Sequence, residues 1–175
     1  MQTNGFDVES VNVFLEEVRY GELDIVKSFI EQDHDILTVK NEYGNSALHY
    51  SCGNNNLEMT SFLLSFDEIK RIINDKNESG STALHWAVRG DIQIVQMMLD
   101  AGADKTILNA QNKTAIELAS EEHKDDIVAL LIGPVADDLV DDENGENVGD
   151  DIIVESISSD DNTQNKQETK EEKTD

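Results

Sequence analysis

Apolar residues recur along this chain as pairs of short helical stripes parted by a polar bend, and the pair comes back about every 33 residues. Ser46–Leu64 reads SALHYSCGNNNLEMTSFLL, Thr82–Leu99 reads TALHWAVRGDIQIVQMML and Thr114–Leu131 reads TAIELASEEHKDDIVALL. A degraded copy, FLEEVRYGELDIVKSFI, starts at Phe14. The anchors Phe14, Leu48, Leu84 and Ile116 lie 34, 36 and 32 residues apart. Ser46, Thr82 and Thr114 carry hydroxyls suited to the open N–H groups of a new helix. Bends are expected at Tyr20-Gly21, Asn54-Asn55, Arg89-Gly90 and Glu122-His123. Each second helix then shows an apolar face at helical spacing: Ile25, Val26, Phe29 and Ile30; Met59, Phe62, Leu63 and Leu64; Ile94, Val95, Met98 and Leu99; Ile127, Val128, Leu130 and Leu131. One such pair cannot bury its apolar face alone, so stacking on its neighbours must supply the core. Leu48, Leu84, Val95 and Leu99 are expected there.

The copies differ in length. First anchor to second anchor spans 11 residues in repeats one, two and four, but 10 in repeat three (Leu84 to Ile94). Repeat two carries extra residues after Leu64, which predict a longer helix or loop. Gly133-Pro134 stops the array. Beyond it, low hydrophobicity and high charge predict a disordered tail, in which Ile152, Ile153 and Val154 form an apolar cluster suited to strand addition on a partner. Ser158 reads as an acidophilic phosphorylation site.

Charge narrows the partners. The chain of 175 residues has a formal charge of −25. Residues 1–132 hold 23 acids and 10 bases, and residues 133–175 hold 15 acids and 3 bases. Nucleic acid and anionic membrane are therefore disfavoured, and a basic protein surface is the complement. A single cysteine, Cys52, excludes an internal disulfide and a cysteine-based zinc cluster. It falls in the small-residue slot of a first helix, where a packed thiol is expected. With no apolar leader and no long apolar run, the expectation is a protein of cytoplasm and nucleus. No facing carboxylate pair, nucleophile–base pair or glycine-rich phosphate loop is visible, so no catalytic residue, metal or cofactor is assigned.

A period near 33 around T-P-L-H-x-A resembles the ankyrin repeat, one β-turn plus two helices. Here Ala47, Ala83 and Ala115 stand in the proline slot, Asn112 replaces the hairpin-tip glycine of repeat four, Glu117 replaces its histidine, and repeat one lacks the motif. The resemblance implies an all-α ankyrin-repeat solenoid of about four helix-turn-helix repeats with β-hairpin loops, plus the disordered acidic tail. Its bounds would be an extension over 1–7, repeats near 8–40, 41–76, 77–108 and 109–132, and the tail over 133–175. It gives His49 and His85 a structural role, tying adjacent hairpins, and places Trp86 at least partly inside. Carried over from the family, the contact positions fall on Arg19, Tyr20, Glu42, Tyr43, Asn45, Gly53, Asn54, Glu78, Ser79, Ser81 and Arg89, with Gln111, Lys113, Glu121 and Glu122 in repeat four. Tyr43 is the best hot-spot candidate, being aromatic on a polar hairpin.

The run IINDKNESGSTALHWA, the insertion before repeat three and the acidic tail further resemble a small fungal ankyrin-repeat chaperone of a KH-domain protein of the small ribosomal subunit. That implies a non-enzymatic escort shielding a basic ribosomal protein before assembly; a monomer is the default expectation. An ankyrin adaptor or inhibitor subunit of a regulatory complex, and an acidic histone-type chaperone, share much of this logic and stay open from the residues alone.

Overall fold

Asp7 opens the fold: its carboxylate accepts from the Ser10 amide at 2.9 Å and the Ser10 hydroxyl at 2.7 Å. These bonds hold the Asp7 carboxyl below the usual carboxylate range and cap α1 (Val8–Tyr20). The computed structural model describes residues 5–133. They form four stacked helix pairs: α1 with α2 (Leu23–Gln32), α3 (Ala47–Gly53) with α4 (Leu57–Leu64), α6 (Ala83–Ala87) with α7 (Ile92–Asp100), and α8 (Ala115–Glu121) with α9 (Asp125–Ile132). No strand occurs among the described residues. The tail, with Ile152–Val154 and Ser158, lies outside them.

Three hydroxyls start the first helices of repeats two to four as the pattern expects, each in a capping box with the residue three positions on. The partner is His49, His85 or Glu117, and the sequence reading did not foresee a histidine in that office. In repeat four the Glu117 carboxylate accepts from the Thr114 amide at 2.6 Å.

The extra residues of repeat two fold into a short helix, α5 (Asp67–Arg71), which packs behind a 3-10 turn over His34–Thr38. Ile69 and Ile73 are buried beneath it, and Phe66 sets its ring edge-on to Phe62 and His34. One apolar core runs through the whole stack from Val11 to Leu131. Leu48, Leu84 and Val95 are fully inside it. Leu99 is only half-buried, a correction to the expected core. A turn follows α7, whereas α4 is backed by α5, and Met98 takes the innermost place. Ile25 likewise faces outward, because α2 turns Val26 and Ile30 inward.

The shortened bend of repeat three has its own solution. In repeats one, two and four a residue in the left-handed region closes the first helix: Gly21 at φ 83°, Asn55 at φ 55° and His123 at φ 55°. The following amide then reaches five residues back, from Glu22 to Glu17, Asn56 to Ser51 and Lys124 to Ala119, at 2.9–3.0 Å. Repeat three lacks that residue, and the Asp91 amide instead donates to Asn55 Oδ1 of the preceding repeat at 2.6 Å. A Cβ on Gly90 would sit 2.4 Å from the same oxygen, which explains the glycine. Asn55→Gly preserves the backbone and removes only this acceptor, so it should cost about 1 kcal/mol in urea unfolding. Asn55→Ala adds left-handed strain of about 1–2 kcal/mol. Two silent variants would show that water replaces the cap.

Candidate functional site

Each loop between repeats is a tight finger built by its first asparagine. Asn41 Oδ1 accepts from the Tyr43 and Asn45 amides at 3.0 and 2.9 Å. Asn109 Oδ1 does the same for Gln111 and Lys113 at 2.9 and 3.1 Å. Asn77 Oδ1 takes the Ser81 amide and the Ser79 hydroxyl. The fourth finger residue is left-handed in all three: Gly44, Gly80 and Asn112. The first two must be glycine for a second reason. A Cβ would come within 3.1 Å of Asn77 Cα at Gly44 and within 2.7 Å of the Ala110 amide at Gly80. No further finger presses on Asn112 among the described residues, so asparagine is tolerated there.

The fingers are tied edge to edge. The Glu78 amide donates to the Tyr43 carbonyl and the Ala110 amide to the Ser79 carbonyl, both at 3.0 Å. Lys40 pairs with Asp75 at 2.7 Å, and Lys76 Nζ donates to the Leu108 carbonyl at 2.9 Å. His49 Nδ1 lies 3.2 Å from the Ser46 amide and must accept from it, so Nε2 carries the proton and donates to the Ser81 carbonyl at 3.0 Å. His85 repeats the arrangement between the Thr82 amide and the Lys113 carbonyl. The tying role expected of both histidines is thus seen directly. Burial pushes the His49 imidazole down to about 4 and lowers that of His85, keeping each neutral. Glu117 stands where no next finger follows among the described residues, so it needs only the capping half of the histidine's work.

On this scaffold Arg19, Tyr20, Glu42, Tyr43, Asn54, Glu78, Ser79 and Arg89 are exposed, with Tyr20 at 69% and Tyr43 at 57%. Asn45 and Ser81 are corrections, being buried. Asn45 Oδ1 receives the Asn77 amide group at 2.9 Å and the Ser81 carbonyl receives His49, so both join fingers to one another. The Asn54 amide group donates to the Arg19 carbonyl at 2.6 Å. Arg89 pairs with Glu122 at 3.3 Å and Lys113 with Glu121 at 2.6 Å. Glu42 and Glu78 make no ion pair among the described residues; they flank a hollow of about 270 Å³ between two fingers. Arg89 and Lys113 are therefore offset, whereas Glu42 and Glu78 carry no paired cation; Lys40 and Lys76, which line the same hollow, are turned to Asp75 and the Leu108 carbonyl.

An aromatic cluster escaped the sequence reading. Trp86 is half-buried, as expected, but it lies edge-on to both His49 and Tyr50, with centroids 5.5 and 6.1 Å away. Asn41 donates to the Tyr50 hydroxyl at 2.8 Å. Gly53 makes room, since a Cβ there would fall 2.6 Å from the indole. The signal was present in ALHY and ALHW, where two aromatics occupy one slot in successive repeats. Trp86 and Arg89 also line a hollow of about 350 Å³ against the last finger.

Cys52 is buried, and burial pushes its thiol up to about 12, so the reactive thiolate is disfavoured. Among the described residues no cluster of three metal-ligating side chains forms, and no helix is long and apolar enough to cross a membrane.

Known proteins resemble this chain in sequence and in fold. The family model described as ankyrin repeats, in three copies, matches residues 14–109. The chain is 30% identical over 153 residues to palmitoyltransferase AKR1 of Lachancea kluyveri, covering 78% of this chain and 20% of that protein. It is 30% identical over 106 residues to palmitoyltransferase ZDHHC13 of Homo sapiens, covering 58% and 16%. The chain thus spans a fifth or less of these curated relatives. A chain in the crystal structure of the yeast ribosomal protein Rps3 in complex with its chaperone Yar1 superposes with a TM-score of 0.65 at 26% identity, over 70% of this chain and 91% of that one.

Proposed function

The chain belongs to the ankyrin-repeat family, and from that premise we propose that it is a non-enzymatic protein-binding escort, which holds a basic ribosomal protein of the small subunit before assembly. The observation that carries the reading is the pair of open carboxylates, Glu42 and Glu78, on adjacent rigid fingers beside the exposed Tyr43 ring. A Lys/Arg-rich client surface fits it by charge, and the ring supplies an apolar anchor. The surplus of 13 negative charges over residues 1–132 draws such a client in from a distance. Likeness to a chain from a ribosomal protein–chaperone complex supports the same choice of partner. In mechanism, carboxylates occupy the client's phosphate-binding side chains until RNA replaces them, with no nucleotide consumed. Such an escort would act as a monomer in cytoplasm and nucleus.

Interferometry with a purified basic small-subunit ribosomal protein tests this. Affinity should fall about tenfold or more between low and physiological salt, because exposed pairs are screened over about 8 Å. Glu42→Gln with Glu78→Gln should slow association, while Tyr43→Ala should mainly hasten dissociation. A salt-independent affinity, with a client that stays soluble alone, favours the adaptor reading and would sink the escort.

A further inference from the structure

The leading asparagine of each finger has two ends, and in the last finger one of them is idle. Its Oδ1 folds the finger, which leaves its amide group to bond elsewhere. Asn41 donates that group to the Tyr50 hydroxyl at 2.8 Å, and Asn77 donates it to Asn45 Oδ1 at 2.9 Å. Asn109 commits its Oδ1 to the Gln111 and Lys113 amides, but its amide group has no partner among the described residues. The residue is nonetheless only 8% exposed. Tyr50, Trp86 and Leu118 each stand nine residues after their finger's asparagine, and leucine has no oxygen to offer.

The same exchange leaves a hollow. Between repeats two and three the Trp86 indole fills the space, lying over Gly53 and edge-on to Tyr50 at 6.1 Å. Between repeats three and four Leu118 is too short to do so, and about 350 Å³ stays open. Trp86 and Leu118 line it on the helix side, Ser79, Asn109 and Gln111 on the finger side. Asn109 is otherwise enclosed, so this hollow is where its amide group meets solvent.

The lining selects its occupant. Whatever displaces water from the Asn109 amide must bring an acceptor. Lysine and arginine bring only donors. A carboxylate finds Arg89 and Lys113 already paired with Glu122 and Glu121, in a chain of charge −25. An aliphatic side chain suits Trp86 and Leu118 but strands the amide. Serine, asparagine and backbone carbonyls carry the acceptor without the apolar body. A phenol meets both demands, with a flat ring for the indole and a neutral oxygen at its end. The fold already holds one such ring, Tyr50, against Trp86 and bonded to Asn41.

We propose that this hollow is a tyrosine pocket: a partner protein inserts one tyrosine ring against Trp86 and Leu118, and its hydroxyl accepts from the Asn109 amide. The inserted ring completes the row that Tyr50 and Trp86 begin. The pocket shares no residue with the Glu42–Tyr43–Glu78 surface, and it rests on the protein-binding part of the reading above but not on the client's charge.

p-Cresol, the tyrosine side chain as a free molecule, is the probe, followed by nitrogen–proton NMR of the full chain. The single tryptophan gives one indole signal. That signal and the Asn109 amide-group pair should move together as p-cresol is added, with nuclear Overhauser contacts from its ring to the Leu118 methyls. Toluene, the same ring without the oxygen, should bind about fivefold more weakly. Leu118→Tyr supplies the phenol within the chain, so it should abolish p-cresol binding and melt no lower than the parent. Should that variant unfold, the Leu118 contacts in the parent decide alone. Toluene that binds as tightly as p-cresol overturns the proposal, as does a folded Leu118→Tyr that still binds p-cresol, or contacts that miss Leu118. Acetate that moves the same signals more strongly makes this an anion site and overturns it too. The p-cresol response should ignore salt and Glu42→Gln. Its survival beside a client whose affinity is salt-independent would count against the escort and not against the pocket.

Discussion

Leu84→Ala should destabilise the protein by about 2–5 kcal/mol, the transfer term plus the cavity that a rigid neighbourhood cannot refill. The side chain is 1% exposed and sits on α6, a helix of only five residues held between α3 and α8. So short a helix has almost no stability of its own, and its packing is its reason to exist. The thermal midpoint should drop on the order of 10 °C. Ile132→Ala, at a position 58% exposed, is the control and should move stability by about 0.5 kcal/mol or less. A Leu84→Ala variant that melts with the parent would mean the stack can collapse around α6.

The second large effect is on acid stability. His49 titrates near 4 in the fold because burial disfavours its charged form, with Lys40 opposing the proton and Asp75 favouring it. Unfolded, it titrates near 6.5. Between those values the unfolded chain binds the extra proton, so stability falls as pH falls through that window and is fully retained above it. From pH 7 to pH 5 the loss from His49 alone should be about 2 kcal/mol, and His85 acts in the same direction. The geometry agrees: a protonated ring loses the Ser46 amide bond, since Nδ1 can no longer accept. Urea unfolding of the parent and of His49→Asn at both pH values checks this. The variant should be less stable at pH 7 yet lose less on acidification. Parallel losses in the two proteins would assign the pH dependence to other groups.

Much of this architecture was readable because it is periodic. Hydroxyl caps, bends and apolar faces at Ser46, Thr82 and Thr114 recur often enough for the pattern to outweigh single-residue ambiguity. The histidine ties were legible only through family resemblance, since nothing in the spacing says where an imidazole points. The errors share one cause. Asn45 and Ser81 were assigned to partner contact because they occupy slots beside the hairpin tip that the ankyrin family uses for binding. In a stacked array a loop has a loop beside it, and these two bind across that seam. Leu99 was placed in the core by helical period alone, which takes no account of whether another helix covers it. The hollow between repeats three and four escaped notice because Leu118 looks like an ordinary core residue in its own repeat. It becomes visible only when Tyr50, Trp86 and Leu118 are laid side by side.

The bond from Asn55 to the Asp91 amide also bears on how such a chain can change over time. A repeat that has lost one residue at its bend is complete only behind a repeat that carries asparagine 36 positions upstream of the broken cap. Asn55 and Gly90 are therefore one heritable unit spread over two modules, and a substitution at either is constrained by the other. Shuffling repeats between relatives would preserve function only when the cut falls outside this pair, so the boundary between repeats two and three is a poor crossover point. The seam that looks most like a natural joint in the sequence is where the two modules are least exchangeable.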